Sequence, residues 1–361
     1  MTAAELMVSK ADISKTKFNS DCEAATRALE AGEIRFELER FAFTANNITY
    51  AAFGDSQLKY WNFFPAPEGF GFVPVWGFAT VAESTLDDVA VGDKYYGYFP
   101  MATHLIVSPA KNSPAGLFDS KAHRAELSPV YNFYTRCAGD PGYKADLEEI
   151  QMLFKPLFTT SFLIDDFLDD NGFYGAGQVI LSSASSKTAY GLAFQLAKRK
   201  GIKVIGLTSP GNVDFVAGMG LYDETLAYGD IETLDGNVPT VYVDMAGNGD
   251  VRARIHTHFD NELKYSCSVG ATNWDQMGSN KELKGPQPSL FFAPAQAQKR
   301  SAEWGNAGLQ QKVAESWVAF VSRADDWVDV VKESGEEAMT RIYGAVLDGS
   351  ASPKKGYVVS F

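Results

Sequence analysis

A short apolar strand, a turn of small polar residues and an amphipathic helix follow one another between residues 179 and 197. The turn reads Ser182-Ser-Ala-Ser-Ser-Lys-Thr188, and apolar residues then recur at the spacing of one helical face. A helix that begins just after a parallel strand directs its unpaired N–H groups into the crevice above the sheet, where a pyrophosphate can bind. We therefore predict a dinucleotide site, although βαβ units without a nucleotide are also common and the usual G-x-G-x-x-G is absent. The predicted ligands are Ser183, Ser185, Ser186, Lys187 and Thr188.

The charges around this turn favour a phosphorylated dinucleotide. Residues 171–213 contain no Asp or Glu, although the chain carries 45 of them in 361 residues. The cations of this window are Lys187, Lys198, Arg199, Lys200 and Lys203. About 20 residues beyond the turn, NAD enzymes carry a carboxylate for the ribose 2′-hydroxyl, whereas this chain has Ser209 and Asn212 in that region. Hydroxyl and amide groups suit a 2′-phosphate, so NADP(H) is predicted over NAD(H); the alternative is that both residues only form the turn after the second strand.

Two hydrophobic patterns divide the chain. The first third alternates apolar and polar residues with period two, as in Ile34–Leu38, which is typical of an antiparallel barrel or sandwich. From about Leu157 to Pro294, short apolar strands alternate with helical segments, which indicates a parallel α/β sheet. We predict a β-rich substrate domain at residues 1–155, completed by about 310–361, and a doubly wound dinucleotide-binding domain at residues 156–309.

Composition excludes several classes of partner. A net charge of −13 without a basic stretch disfavours nucleic acid and anionic membranes, so a small-molecule partner is expected. No apolar run is long enough to span a membrane and the N-terminus does not read as a secretion signal, so a cytoplasmic protein is expected. The three cysteines are far apart, and His256 and His258 form the only candidate metal spacing, so no metal site is predicted.

The segment from Pro114 to Asp146 fits neither hydrophobic pattern. It contains three tyrosines, two of them Tyr131 and Tyr134 in the sequence PVYNFYTR. We interpret it as a long loop or an inserted helical piece, and loops of this length are often functional. An aromatic plug between domains is an equally good interpretation.

Several short motifs follow one another in a family-specific order. They are Ala45-Asn-Asn-Ile-Thr-Tyr50, Val91-Gly-Asp93, Phe158-Thr-Thr-Ser161, Gln195-Leu-Ala-Lys198 and Val243-Asp-Met-Ala-Gly247. With them the chain resembles the quinone oxidoreductase and enoyl reductase branch of the medium-chain dehydrogenase/reductase family. PVYNFYTR, FKPLFTTSFL and SSASSKTA together resemble a subgroup classed as a domain of unknown function. The resemblance implies an α/β fold, with a Rossmann doubly wound parallel sheet and a GroES-like β-barrel domain, and a homodimer.

The chain departs from the family in two places. The zinc-ligating cysteines and histidines of alcohol dehydrogenases are missing, so the resemblance is to the zinc-free members. The glycine pair of the family's A-x-x-G-G-V-G turn is replaced by Ser185-Ser-Lys187, which leaves open a repurposed cofactor site.

The resemblance also implies a reaction. Zinc-free members transfer hydride from NADPH to an activated C=C bond (enone, enal or enoyl) or to a quinone, with a hydroxyl as proton or hydrogen-bond donor. By resemblance, Tyr50 is the first candidate donor, Tyr131 or Tyr134 the second, and Asn47 orients the carbonyl. Thr160 would lie beside the nicotinamide, and Gly270 is a further predicted cofactor contact.

Other functions are compatible with the same residues. Each of the 16 tyrosines is more often a packing residue than a catalytic one. The alternatives are a lyase or isomerase that acts through an enolate, and a sensor that binds NADP(H) without reaction. The sequence does not identify the substrate.

Overall fold

The chain forms two compact units. The structure is a computed structural model that describes residues 3–56, 58–269 and 283–361. Unit 1 comprises Met1–Leu153 and Val330–Phe361, and unit 2 comprises Phe154–Asp329. The strands are β1 (Glu5–Ser9), β2 (Thr16–Asn19), β3 (Ile34–Phe43), β4 (Phe70–Gly71), β5 (Val75–Ser84), β6 (Lys94–Phe99), β7 (His104–Val107), β8 (Pro109–Ser113), β9 (Gly116–Asp119), β10 (Phe133–Arg136), β11 (Gln178–Leu181), β12 (Lys203–Thr208), β13 (Glu224–Ala227), β14 (Thr240–Asp244), β15 (Leu263–Ser268), β16 (Ser289–Leu290), β17 (Asp329–Ser334) and β18 (Lys355–Ser360). The helices are α1 (Glu23–Thr26), α2 (Ala45–Ala52), α3 (Glu148–Asp170), α4 (Lys187–Leu196), α5 (Val213–Gly218), α6 (Gly249–Phe259), α7 (Ala293–Val321) and α8 (Glu336–Leu347).

Unit 1 is built on an antiparallel sheet with the order β17-β18-β3-β5-β6-β10-β9-β8, and β7 also pairs with β3. Strand β3 pairs with β18, β5 and β7. Its residues alternate as the sequence predicts, with Ile34, Phe36 and Leu38 buried in the core. A second, smaller sheet has the order β2-β1-β4. Helix α8 packs on this core, and its buried Tyr343 donates a hydrogen bond to the carbonyl of Ile13 at 2.6 Å.

The segment from 114 to 146 joins this sheet, which corrects the interpretation as a loop or helical insert. Strands β9 and β10 lie in it, with Tyr134 opposite Leu117 and Thr135 opposite Tyr96. The sheet accepts Tyr134 because Gly97 lies beneath its ring: a Cβ atom at Gly97 would lie 2.4 Å from Cδ1 of Tyr134. Of the three tyrosines of this segment, Tyr134 lies on a strand and is buried, whereas Tyr131 lies in a 3₁₀ turn.

Unit 2 contains a six-stranded parallel sheet with the order β13-β12-β11-β14-β15-β16. Strand β11 is the first of the six in sequence, and the chain builds the sheet outward from it in both directions. The carboxyl ends of β11 and β14 therefore form the point where the strand order reverses, which is where doubly wound sheets bind ligands. This arrangement confirms the α/β class, with a parallel sheet in unit 2 and antiparallel sheets in unit 1.

The C-terminal part of unit 2 is a long helix, α7. The sequence predicted that the β-rich domain resumes at about residue 310, whereas the second segment of unit 1 begins at Val330. The reason is aromatic packing near the end of α7: the ring of Phe320 lies 4.8 Å from that of Phe158 and 5.4 Å from that of Phe194. A helix anchored in this way stays with the parallel sheet.

Ion pairs attach the neighbouring segments to α3. Arg199 binds the carboxylate of Asp165 through two nitrogens, at 2.7 and 3.1 Å. Nε of Arg300 and Nε2 of Gln296 both donate to Asp166 at 2.6 Å. Charged residues thus occur along the long helices. Within the described residues, no helix is long and apolar enough to cross a membrane.

Candidate functional site

The turn between β11 and α4 is fixed by a buried serine. The Ser182 hydroxyl donates to Oδ1 of Asp244 at 2.9 Å and accepts from the backbone N–H groups of Met245 and Ala246 at 2.9 and 3.1 Å. Ser182 is completely buried, and so is the carboxylate it contacts. These bonds join the carboxyl ends of β11 and β14, so the place where the strand order reverses is rigid.

Ser183 adopts the conformation that a glycine would normally supply. Its φ angle is 50°, in the left-handed region, where a side chain other than glycine costs ~1–3 kcal/mol. Its backbone N–H donates to the hydroxyl of Tyr228 at 2.8 Å, which helps to hold the strained residue. The tight turn of a dinucleotide fingerprint is therefore present without its first glycine.

The next two serines contribute to the structure of the turn. Ser186 is the N-cap of α4, and its hydroxyl accepts from the N–H of Ala189 at 3.3 Å. The Ser185 hydroxyl accepts from Oγ1 of Thr208 at 3.3 Å, which links the turn to the end of β12. Both hydroxyls thus have partners in the protein, and their acceptor and donor capacity toward a phosphate is shared with these bonds.

Lys187 is the first residue of α4 and is partly buried. Burial lowers the pKa of its ammonium group to about 8. A cation at the positive end of a helix dipole is unfavourable by itself, whereas an anion bound at that end interacts favourably with both. The ammonium group of Lys187 is therefore placed where a phosphate would bind favourably.

Helix α4 lies close to α3 on the side of Thr160. The hydroxyl of Ser161 donates to the carbonyl of Thr188 at 2.7 Å, and a Cβ atom at Gly191 would lie 2.7 Å from that hydroxyl. Thr160 precedes Ser161, and its own hydroxyl donates to the carbonyl of Pro156 at 3.4 Å. Thr160 thus lies in the same unit as the turn; the remaining cofactor contact from the sequence, Gly270, lies outside the described residues.

The other cations of the acid-free window lie away from the turn. Arg199 pairs with Asp165, Lys203 with Glu224 at 2.6 Å, and Nζ of Lys198 contacts Gln195 at 3.0 Å. These residues follow the C-terminal end of α4 or begin β12, at the opposite edge of the sheet. Lys187 is therefore the cation of this window that lies at the turn. The other feature that favours a phosphate is that no carboxylate follows β12 before Asp214.

The end of β12 forms a short 3₁₀ turn. Ser209 is exposed and Asn212 half-buried, and the N–H of Asn212 donates to the carbonyl of Ser209 at 2.9 Å. The first acidic residue after the strand is Asp214, in the first turn of α5. The region that would hold a ribose in a dinucleotide site thus presents hydroxyl and amide groups.

Unit 1 brings four tyrosines together, which we call the tyrosine cluster: Tyr50, Tyr60, Tyr98 and Tyr131. The rings of Tyr50 and Tyr60 lie 4.6 Å apart, as do those of Tyr98 and Tyr131. Tyr50 lies 5.5 Å from Tyr98 and 6.4 Å from Tyr131. Nε1 of Trp76 donates to the hydroxyl of Tyr50 at 3.4 Å, and the hydroxyls of Tyr60 and Tyr131 are 3.4 Å apart.

The sequence predicted two of these tyrosines as site residues and did not predict the other two. Tyr50 and Tyr131 were candidates, whereas Tyr60 and Tyr98 lie on elements to which no motif pointed. Tyr98 lies on β6 in the run KYYGYF, whose tyrosines read as strand packing. Four separate elements carry the cluster, so no spacing in the sequence connects its members.

Tyr134 has a structural role behind the cluster. Its hydroxyl donates to the carbonyl of Tyr98 at 2.9 Å and accepts from Nη1 of Arg124 at 3.2 Å. Arg124 in turn forms an ion pair with Asp119 at 3.2 Å, and both side chains are only 1% exposed. Tyr134 therefore helps to hold β6 and the segment after β9.

Asn47 also has a structural role. Its Oδ1 accepts from the N–H of Thr44 at 2.7 Å, in a capping box that starts α2. Its Nδ2 donates to the carbonyl of Pro74 at 2.8 Å. Both ends of the amide thus have partners in the fold, so Asn47 helps to position α2, the helix that carries Tyr50; its role toward a substrate carbonyl stays a prediction.

The two histidines with metal-like spacing do not converge. His256 is buried, with Nδ1 at 2.7 Å from the carbonyl of Lys284 and Nε2 at 2.9 Å from the hydroxyl of Ser266. Nε2 of His258 contacts the carbonyl of Leu234 at 2.8 Å. Over the described parts of the chain, no three His, Cys, Asp or Glu side chains form a group that could hold a metal ion.

Comparisons with known proteins agree with this architecture. The model of a family described as "Protein of unknown function (DUF2855)" matches residues 41–352. No curated protein sequence matches the chain.

The chain is also similar to solved structures. One is CurA from Vibrio vulnificus in complex with NADPH, with 13% identity, a TM-score of 0.61, and 99% of this chain and 98% of that chain covered. Another is YhdH from E. coli K-12 with bound NADPH, with 13% identity, a TM-score of 0.57, and coverage of 98% and 99%. A third is the quinone oxidoreductase from Coxiella burnetii, with 13% identity, a TM-score of 0.51, and coverage of 99% and 98%. The fold is thus the Rossmann and GroES-like fold of medium-chain dehydrogenases/reductases.

Proposed function

This chain belongs to the DUF2855 family, and we propose that it is an NADPH-dependent oxidoreductase that reduces an activated C=C bond or a quinone. The observation that carries the proposal is the turn from Ser182 to Lys187, which lies where the strand order of the parallel sheet reverses. Structural neighbours of the same fold contain NADPH or NADP. The reaction class is inferred from the fold and from the phenol groups of unit 1.

The donor set of the turn fits a pyrophosphate. Ser183 supplies the tight left-handed turn, α4 directs its first N–H groups to the carboxyl edge of the sheet, and Lys187 adds a cation. The hydroxyls of Ser185 and Ser186 lie in the same turn, and Thr188 is in the first turn of the helix. These residues bind the phosphates in our proposal, with Thr160 on the adjacent helix toward the nicotinamide.

The preference for a 2′-phosphate follows from the end of β12. Ser209 and Asn212 offer a hydroxyl and an amide, and a carboxylate that would repel a phosphate is replaced by neutral residues up to Asp214. A dinucleotide with a 2′-hydroxyl would find no carboxylate acceptor in this turn. We therefore assign NADP(H) rather than NAD(H).

The tyrosines of unit 1 provide the hydrogen-bond donor for the reaction. NADPH supplies a hydride when bound, and the net reaction consumes one proton together with the reduced cofactor. The carbonyl oxygen of the acceptor gains negative charge as its conjugated carbon takes the hydride, so it needs a neutral donor. Burial raises the pKa of Tyr50, which keeps its phenol protonated at neutral pH. Tyr131 is the second donor in the proposal, because it belongs to the same cluster.

Turnover of NADPH tests this function. Purified protein is mixed with NADPH and a panel of enones, enals and quinones, and loss of NADPH absorbance is followed. For an acceptor that turns over, Tyr50→Phe is expected to lower kcat at least about tenfold, which corresponds to roughly 1.4 kcal/mol of transition-state stabilisation.

The matched control is Tyr174→Phe, which removes a phenol of unit 2 whose ring stacks on that of Tyr265 at 4.2 Å. It should leave kcat unchanged. Tight NADPH binding without turnover of any acceptor would contradict the reductase and favour a sensor. Conversion of an acceptor without loss of NADPH would favour a lyase or isomerase.

A further inference from the structure

The tyrosine cluster contains a buried hydroxyl without a partner. Oη of Tyr98 has an exposed area below 1 Å² and no hydrogen-bond partner among the residues that the structure describes. Burial of a phenol hydroxyl without a hydrogen bond is unfavourable, and such groups are rare in folded proteins. The ring is fixed on a central strand and its carbonyl is held by Tyr134, so Tyr98 cannot turn away to find another partner.

The hydrogen bonds of the neighbouring phenols are long. The bond from Nε1 of Trp76 to the Tyr50 hydroxyl is 3.4 Å, beyond the usual N–H···O distance of about 2.9–3.0 Å, and the Tyr60–Tyr131 contact is also 3.4 Å, well beyond the usual O–H···O distance of about 2.7–2.8 Å. Burial raises the pKa of Tyr98 well above its ordinary value, and the nearby phenols of Tyr50, Tyr131 and Tyr60 raise it further. The rings of the four tyrosines contact one another, and the hydroxyls of Tyr60 and Tyr131 satisfy each other poorly.

The cluster is neutral. Burial raises the pKa values of Tyr60 and Tyr131; the phenols of Tyr50 and Tyr60 raise that of Tyr131 further, whereas the hydrogen bond to Tyr131 lowers that of Tyr60, and within the described residues no charged group causes either shift. Arg124 lowers the pKa of Tyr98 slightly against these effects, and its charge is neutralised by its ion pair with Asp119. A carboxylate or phosphate placed here would lose its hydration without gaining a counter-ion, whereas a carbonyl oxygen would only exchange hydrogen bonds.

Aromatic side chains surround the ring of Tyr98. The ring of Tyr98 lies 5.5 Å from Phe63, 5.9 Å from Phe64 and 5.2 Å from Trp76. Rings prefer offset or edge-on contacts with other rings, so this enclosure favours an aromatic molecule over an aliphatic chain.

One side of the cluster is less buried than the rest. Trp76 and Tyr131 are partly exposed, whereas Tyr50, Tyr60 and Tyr98 are buried. Tyr131 lies in a single 3₁₀ turn next to Val130, which is 56% exposed, and covers the Tyr98 ring at 4.6 Å. The ring of Tyr131 is thus the one that a ligand would displace to reach the Tyr98 hydroxyl.

We infer that the tyrosine cluster binds an uncharged aromatic molecule with a conjugated carbonyl oxygen, and that the hydroxyl of Tyr98 donates the hydrogen bond that recognises this oxygen. Binding requires no reaction, and only the identification of this molecule as the acceptor rests on the proposed function. Tyr98 is then a specificity-determining residue for aromatic ketones over acids.

A matched pair of ligands tests the inference. Benzylideneacetone and cinnamate share a flat styryl frame, but the first ends in a neutral ketone and the second in a carboxylate. Calorimetric titrations with and without NADP⁺ are expected to show binding of the ketone at least about tenfold tighter than that of cinnamate. Failure of the ketone to bind in both conditions, or equal binding of cinnamate, would overturn the inference.

Two variants separate recognition from folding. Tyr98→Phe removes the unpartnered hydroxyl, so its Tm should equal or exceed that of the native protein while ketone affinity falls at least about fivefold. Tyr343→Phe is the control: it removes a hydroxyl of unit 1 that is bonded to the carbonyl of Ile13, so it should lower Tm without changing ketone affinity. Unchanged ketone affinity in Tyr98→Phe would overturn the role of Tyr98.

The same samples distinguish this inference from the proposed function. Ketone binding without NADPH oxidation would support the aromatic site and contradict the reductase. NADPH oxidation with other acceptors, but no ketone binding, would support the reductase and contradict the aromatic site.

Discussion

The turn of unit 2 and the tyrosine cluster of unit 1 are both candidate binding regions, but they are built in opposite ways. The turn consists of consecutive residues, and its polar groups bond to their own backbone and to adjacent strand ends. The cluster gathers side chains from four elements separated by up to 81 positions, between Tyr50 and Tyr131. The hydroxyls of Tyr60 and Tyr131 form a long hydrogen bond of 3.4 Å. The hydroxyl of Tyr98 has no hydrogen-bond partner within the described residues.

This difference shows what each region contributes. The turn is a backbone device whose geometry is fixed before any ligand arrives, since Ser182 holds two strand ends together. The cluster is a side-chain device in which polar groups remain poorly satisfied within a well-packed aromatic shell. Strain in the turn and unmet hydrogen bonds in the cluster both lower stability, and both are typical of functional sites.

The largest effect is expected behind the cluster, where Arg124→Met breaks a buried ion pair. Loss of the guanidinium leaves the Asp119 carboxylate buried without a counter-ion and removes the bond to the hydroxyl of Tyr134. Breaking a buried pair in this way costs ~3–5 kcal/mol. Urea unfolding should show a loss of this size in the free energy of unfolding.

The control lies on the surface of the same unit. Lys15→Met removes an exposed ion pair with Asp12, which spans 3.3 Å, and exposed pairs contribute little to stability. Equal destabilisation by Arg124→Met and Lys15→Met would mean that the buried pair does not support the cluster as the geometry indicates.

The next effect concerns the turn, where Lys187→Ala should weaken NADPH binding by about 10–100-fold. A hydrogen bond to a charged group contributes roughly 1.5–3 kcal/mol, which corresponds to this range. Lys198→Ala is the control, because this lysine lies past the far end of α4 and contacts Gln195 and Ser316. If both variants bind NADPH equally well, the ammonium of Lys187 does not contact the cofactor.

NADPH affinity should also depend on pH through Lys187. Burial lowers the pKa of the Lys187 ammonium to about 8, and a bound phosphate would raise it. Below pH 8 the group is charged with or without cofactor, so its contribution is complete. Above pH 8 binding must take up a proton, and Kd should rise by at most about tenfold per pH unit until the pKa of the complex is reached. In Lys187→Arg, whose guanidinium remains charged, this rise should disappear.

The smallest effect is expected from Ser183→Gly. Glycine adopts the observed φ of 50° without strain, and this gain is offset in part by the greater entropy of glycine in the unfolded chain. The free energy of unfolding should rise by up to ~1 kcal/mol, and NADPH affinity should stay within about threefold. A tenfold weaker affinity would show that the hydroxyl of Ser183 binds the cofactor itself.

The sequence predicted the turn well because its signals are local. The apolar strand, the small residues and the helical spacing after Lys187 all lie within 20 residues, and secondary structure follows such short-range patterns. The same locality misled the charge argument. Lys198 and Arg199 are close to Lys187 in sequence, yet a helix of ten residues carries them to the opposite edge of the sheet.

The cluster could be predicted only in part because its contacts are long-range. Family motifs pointed to Tyr50 and a tyrosine-rich segment pointed to Tyr131, but Tyr60 and Tyr98 join them only through tertiary contacts of a 3₁₀ turn and of strand β6. Tyr134 and Asn47 were predicted as site residues by the family resemblance. Their hydroxyl and amide are used instead by carbonyls and a helix cap, which depend on tertiary neighbours.

The measurement that tests the central claim most directly is a calorimetric titration of the purified protein with NADPH, NADP⁺, NADH and NAD⁺. The account predicts micromolar binding of NADPH and NADP⁺ and at least about tenfold weaker binding of NADH and NAD⁺, because Ser209 and Asn212 replace the carboxylate that holds a 2′-hydroxyl. Absence of binding by all four would contradict the assignment of the turn as a dinucleotide site, and with it the proposed oxidoreductase.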